Sequence, residues 1–82
     1  MTAYDQDQIV EPNTIYQHFK GRLYRVIGTA LDAGSENLTP RVIYRPIEGS
    51  PTYSRTKANF LEVVDRPDFN HKGPRFRFIR SG

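Results

Sequence analysis

The chain of 82 residues contains no cysteine and no tryptophan. Without thiols there is no disulfide framework to brace a small domain and no thiolate to hold structural zinc. Long apolar runs are missing as well. The longest unbroken stretches are two or three residues, as at Val42-Ile43-Tyr44, whereas ~18 are needed to span a bilayer. The segment Met1–Asp7 has neither the basic flank nor the apolar stretch of a secretory leader. A cytoplasmic location with no membrane partner is the expectation. The Asn37-Leu38-Thr39 glycosylation pattern, followed at once by Pro40, then has no expected use.

Catalytic residue patterns are equally scarce. The two histidines, His18 and His71, lie far apart, and neither has a second histidine or a carboxylate at ligand spacing. No metal and no cofactor are expected. Gly49-Ser50-Pro51 lacks the second glycine of a nucleophile elbow. There is no glycine-rich phosphate loop. Glu48 and Glu62 sit where a solvated surface role is the strong expectation. The chain is therefore not expected to be an enzyme.

Charge is abundant but uneven. The first thirteen residues carry Asp5, Asp7 and Glu11 and no base, which leaves twelve bases against six acids in the remainder. The overall charge of +3 thus hides a strongly basic body behind an acidic arm. Such a balance favours anionic partners, although solubility alone accounts for a charge of this size. The polar composition of residues 1–13 predicts a flexible acidic N-terminal arm, with one small domain over 14–82.

Alternation of apolar and polar residues dominates that domain. Strands are expected over 14–19, 23–30, 41–45, 52–55, 60–64 and 75–80. Gly21 marks a hairpin turn, and Gly28 a bulge inside the second strand. Thr56 is placed to cap one helical turn over 57–60. The segments around Pro67 and Gly73 read as a connecting loop. No 3.6-residue periodicity runs long enough for a proper helix. The fold class expected is all-β, a small SH3-like barrel or roll of five to six short strands with one helical turn. Its core is expected to gather Ile15, Phe19, Val26, Val42, Phe60, Val63, Phe76 and Phe78.

Arginine interleaved with tyrosine is what the strands offer for function. Lys20, Arg22, Tyr24, Arg25, Arg41, Tyr44, Arg45, Tyr53 and Arg55 alternate along neighbouring strands and turns. Guanidinium groups fork onto phosphate, and tyrosine rings stack on bases. Half-buried packing tyrosines, with arginine stems covering apolar edges, would give the same pattern.

The block Tyr16–Ala30 closely resembles the opening of the DUF1653 family, which reads roughly Y-x-H-F-K-G-x-x-Y-x-V-x-G-x-A. Val42–Arg45 looks like that family's V-V-Y-R, Tyr53–Phe60 like its W-x-R-P-x-x-M-F, and Pro74-Arg75-Phe76 like its P-R-F. Tyr53, Thr56 and Asn59 depart from the tryptophan, proline and methionine of that pattern, and the loop at 31–40 departs from its short acidic stretch. The resemblance implies a compact β domain of bacteria and phages and supplies no catalytic residues. His18, Lys20, Tyr24, Tyr44, Arg45 and Arg55 fall on its motif positions.

Together these readings predict a non-enzymatic module that holds a phosphate-bearing, nucleotide-like anion on His18, Lys20, Tyr24, Tyr44, Arg45, Tyr53 and Arg55. A domain too small to enclose such a ligand alone needs a second copy of itself, so a homo-oligomer is included in the expectation. Sequestration of a nucleotide signal, as small phage-encoded β proteins do, is an analogy only. Two alternatives stay open. One is a nucleic-acid-binding barrel whose basic edge is Arg75, Arg77 and Arg80. The other is a protein-interaction module using an open sheet edge or an aromatic groove.

Overall fold

A computed structural model describes residues 8–82. The elements follow in the order β1 (Thr14–His18), β2 (Leu23–Asp32), β3 (Thr39–Pro46), β4 (Tyr53–Thr56), α1 (Lys57–Phe60), β5 (Val63–Arg66), a 3-10 turn (Pro67–Phe69), β6 (His71–Pro74) and β7 (Phe76–Ser81). The fold is all-β. A five-stranded antiparallel sheet runs β4-β3-β2-β1-β7, and β5 and β6 form a separate two-stranded sheet.

Local signals account for most of the first sheet. Gly21 adopts φ 110°, its N–H donates to the His18 carbonyl at 2.7 Å, and the β1–β2 hairpin closes there with Tyr16 opposite Tyr24. A residue with a Cβ would be strained at that φ. Between Val26 and Gly28 the pairing with β3 slips by one residue, so Ile27 is bulged and largely exposed. The extra residue bends β2, and its far half from Ile27 to Leu31 leaves the core. Thr56 caps α1 as its position predicts, its hydroxyl accepting from the Asn59 N–H at 3.1 Å. Thr56→Ala is expected to cost about 1 kcal/mol, read as a lower urea midpoint with an unchanged slope.

The strand expected over 60–64 is shifted to Val63–Arg66 as β5, and β6 occupies the region expected to be a loop. Pro67 opens the 3-10 turn, and Asn70 takes the left-handed conformation at φ 51°, which folds the chain back into a second hairpin. The turn residues are the same; a strand ladder forms on either side of them.

The core cluster includes Val26, Val42 and Phe60, all fully buried, with Tyr16, Tyr44 and Phe76 packed around them. Ile15, on the face of β1 opposite to Tyr16, is fully buried too. Phe60 and Phe76 stack face to face at 4.2 Å, and both Tyr16 and Tyr44 present ring edges to Phe60. Two expected core residues lie outside. Val63 is 43% exposed because β5 belongs to the small second sheet. Phe78 is 53% exposed because β7 is the edge strand, where it touches only one side of Tyr16. Phe19 is half-buried, lying among His18, Phe69 and His71.

Of the expected arm, residues 1–7 lie outside the described residues. Val10 is buried in the core cluster, and the Asn13 N–H donates to the Val26 carbonyl at 2.8 Å. The packed chain therefore reaches back to Val10. Among the described residues no helix is long and apolar enough to cross a membrane.

Candidate functional site

The sheet order places three tyrosines side by side. Tyr44 on β3 pairs directly with Tyr53 on β4, while Tyr24 comes from the neighbouring β2. Their ring centroids are 5.4 Å apart for Tyr24–Tyr44, 5.7 Å for Tyr44–Tyr53 and 6.5 Å for Tyr24–Tyr53. Phe76 lies beneath, 5.7 Å from Tyr24 and 5.3 Å from Tyr44. These rings bound an open cavity of about 350 Å³ that His18, Lys20, Arg22 and Arg55 also line.

Arg55 follows Tyr53 by two residues on β4, so strand alternation turns both to this face. Its Nε donates to the Tyr44 hydroxyl at 2.7 Å and its Nη1 to Asn59 Oδ1. The guanidinium also lies 5.5 Å from the centre of the Phe76 ring. Neutral acceptors thus fix the fork, and three of its five N–H groups remain for a ligand. No carboxylate among the described residues pairs with Arg55. The other two cations are held more loosely. Lys20, from the β1–β2 turn, sits 5.2 Å from the Phe69 ring centre. Arg22 lies over Tyr24 at 5.8 Å and reaches Glu48 at 3.6 Å, both side chains being well exposed.

His18 stays neutral in this setting. Its Nδ1 accepts the Lys20 N–H at 3.1 Å, which leaves Nε2 as the protonated nitrogen and a donor. Burial, then the positive fields of Arg55 and Lys20, lower its pKa to about 4. Because the folded pKa lies below the unfolded value of ~6.5, the unfolded chain takes up the proton first as pH falls. Stability is complete above pH ~6.5 and declines toward pH 4. Allowing for the solvent that reaches this partly exposed ring, His18 contributes a loss of about 1 kcal/mol between pH 7 and 5. His18→Phe, which keeps the ring stacking, is expected to flatten that slope in urea titrations at the two pH values.

A family model described as a protein of unknown function (DUF1653) matches residues 14–78. The chain belongs to this family. No curated protein and no solved structure matches it.

Of the seven site residues that the sequence nominates in this DUF1653 domain, six line the one cavity: His18, Lys20, Tyr24, Tyr44, Tyr53 and Arg55. Arg45 does not. It follows Tyr44 on β3 and so faces away, opposite Arg25 in register and close to Gly49. Strand alternation forbids Tyr44 and Arg45 from serving one site. Phe76 and Arg22 are the lining residues the sequence reading left out. The sequence assigns Phe76 to the core, and it both belongs to the core cluster and lines the cavity. Arg22 stands among the interleaved basic residues, and its turn position beside Lys20-Gly21 is the signal that could have found it.

Two of the residues at which this DUF1653 chain departs from the family pattern are at the site. Tyr53 forms one wall. Asn59 lies behind the wall as the acceptor that orients Arg55.

The alternative basic edge is broken up by internal bonds. Arg75 is half-buried, donating from Nε to the Asn59 carbonyl at 3.1 Å and from Nη2 to Glu62 at 2.5 Å. Arg77 donates to Gln17 Oε1 at 2.8 Å. Arg80 is exposed at the far end of β7. Arg75 therefore ties β7's approach to α1 and the following loop and does not join Arg77 and Arg80 in a solvent-facing stripe. Among the described residues no group of three or more histidines or acids could hold a metal ion.

Proposed function

We propose that this domain is a non-enzymatic binding module for a small phosphate-bearing ligand of nucleotide type, held in the Tyr24/Tyr44/Tyr53 cavity. The observation that carries the reading is Arg55: a guanidinium pinned by Tyr44 and Asn59, lining a cavity, with three unused N–H groups and no carboxylate partner among the described residues. Such a fork is preorganised for phosphate. Lys20 adds a second positive charge, and the tyrosine rings and Phe76 supply faces and edges on which a base can rest. The neutral His18 offers a donor at Nε2 for a base or sugar oxygen. A cavity of about 350 Å³ falls at the lower end of small-molecule sites, which run ~300–1,000 Å³.

Binding without turnover is favoured because no carboxylate lines the cavity and its one histidine already receives a backbone N–H at Nδ1. Neither a general base nor an activated nucleophile is formed. The cavity opens to solvent, so a second copy of the chain as its lid is part of the proposal. A cytoplasmic setting, where nucleotides are abundant, is also part of it.

Native mass spectrometry of the purified protein tests these points together. The reading predicts a nucleotide-sized adduct, retained by the wild type and absent from Arg55→Ala, and it reports the number of copies in the same spectrum. A protein that carries no adduct and takes up no added nucleotide speaks against the proposal.

A further inference from the structure

The ring of His18 is a partition. On one side lies the tyrosine cavity. On the other lies a second cavity of about 320 Å³, lined by Gln17, Phe19, His71, Pro74 and Arg77, with His18 shared between the two. The second cavity repeats the chemistry of the first with different residues. Its aromatic platform is a stack: Phe19 lies nearly parallel to His71 (15°, 5.1 Å) and within 30° of His18 at 4.4 Å. Its cation is Arg77, which donates to Gln17 Oε1 at 2.8 Å, while Gln17 Nε2 is anchored on the Gly21 carbonyl at 3.0 Å. Arg77, like Arg55, is thus oriented by a side-chain amide and has no carboxylate partner among the described residues. No carboxylate lines the second cavity either.

We infer that the two cavities form one bipartite site for a ligand of two linked nucleotide units, one base and phosphate on each side of His18. The inference rests on the nucleotide reading of the first cavity. A single nucleotide in the first cavity leaves the second cavity, with Arg77 and its aromatic lining, without a ligand. A dinucleotide uses both guanidinium groups, and because its second unit binds as part of an already anchored molecule it gains affinity without a new encounter. A free dinucleotide and two consecutive residues of a single strand both supply these units, since base, sugar and phosphate are the same in both.

Calorimetric titration of the full chain with 5′-mononucleotides, the matching 5′-phosphorylated dinucleotides and an oligonucleotide of about ten residues decides the matter. The expected result is at least about tenfold tighter binding of the dinucleotide than of the mononucleotide. Arg77→Gln, whose amide can still reach Gln17, should abolish that advantage and leave mononucleotide affinity unchanged; Arg77→Lys, which loses the fork, provides the same reading should the first variant not fold. An oligonucleotide that binds as tightly as the dinucleotide identifies a strand as the source, and one that binds more weakly identifies a free dinucleotide; either agrees with the inference. Equal affinities for mono- and dinucleotide, or a dinucleotide advantage that survives in Arg77→Gln, overturn the bipartite site while leaving the first cavity's role intact. No binding of any of these probes overturns both.

Discussion

Arg55→Ala is expected to weaken nucleotide binding by about 30- to 1,000-fold, the equivalent of ~2–4 kcal/mol for a hydrogen-bonded charge pair held away from bulk water. The fold should survive. What the substitution removes from the protein itself is the donor to the Tyr44 hydroxyl at 2.7 Å, the donor to Asn59 Oδ1, and the contact over Phe76 at 5.5 Å. Tyr44 is 4% exposed, so its hydroxyl loses a partner inside the domain, at a cost of about 1–2 kcal/mol. Calorimetry and a urea melt on the same sample separate the two effects. Arg55→Lys keeps the charge but not the planar fork, and it should bind with intermediate affinity. If both variants unfold, the arginine is a structural strut and the cavity loses its central cation.

Phe60→Ala is expected to be the most destabilising single change. Its side chain is fully buried and stacks on Phe76 while receiving the edges of Tyr16 and Tyr44. Truncating a buried phenylalanine costs ~3–5 kcal/mol. A domain of 82 residues has only about 4–12 kcal/mol to lose. Phe60 also connects the core to the site: it supports Phe76 from below, and Phe76 is a wall of the tyrosine cavity. The variant should therefore melt tens of degrees lower, by about 4–8 °C for each kcal/mol, and where still folded it should bind ligand more weakly. A thermal melt within a few degrees of wild type would mean that the aromatic stack is not what holds the two ends of the domain together.

How far each feature was legible depends on whether its cause is local. The Gly21 turn, the bulge at Gly28 and the Thr56 cap are set by single residues with strong backbone preferences, and each appears where the sequence places it. The β5–β6 hairpin is different. Pro67, Asn70 and Gly73 mark a turn, but only tertiary pairing decides that the residues beside them form a ladder. Val63 and Phe78 show the same limit. Alternation tells which side of a strand is apolar, and it does not tell that the strand belongs to a small second sheet or to an edge.

The site follows this rule closely. Six nominated residues converge because a tyrosine–arginine alternation on neighbouring antiparallel strands must deliver them to one face. Arg45 fails on the same geometry, one residue out of phase with Tyr44. Arg75 reads from the sequence as a solvent-facing charge, yet it turns inward to Glu62 and the Asn59 carbonyl, partners that lie 13 and 16 residues earlier in the chain. The second cavity was not foreseeable, since His71 reaches Phe19 from β6, a segment that the sequence reads as a loop.

The most direct measurement is a ¹⁵N-edited NMR titration of the full chain with a 5′-mononucleotide. The account predicts saturable shifts concentrated at the amides of Lys20, Tyr24, Tyr44, Tyr53 and Arg55, with little change at Arg45 on the opposite face of β3. Shifts centred instead on Arg77 and Arg80, or no saturable shift at millimolar ligand, would contradict it.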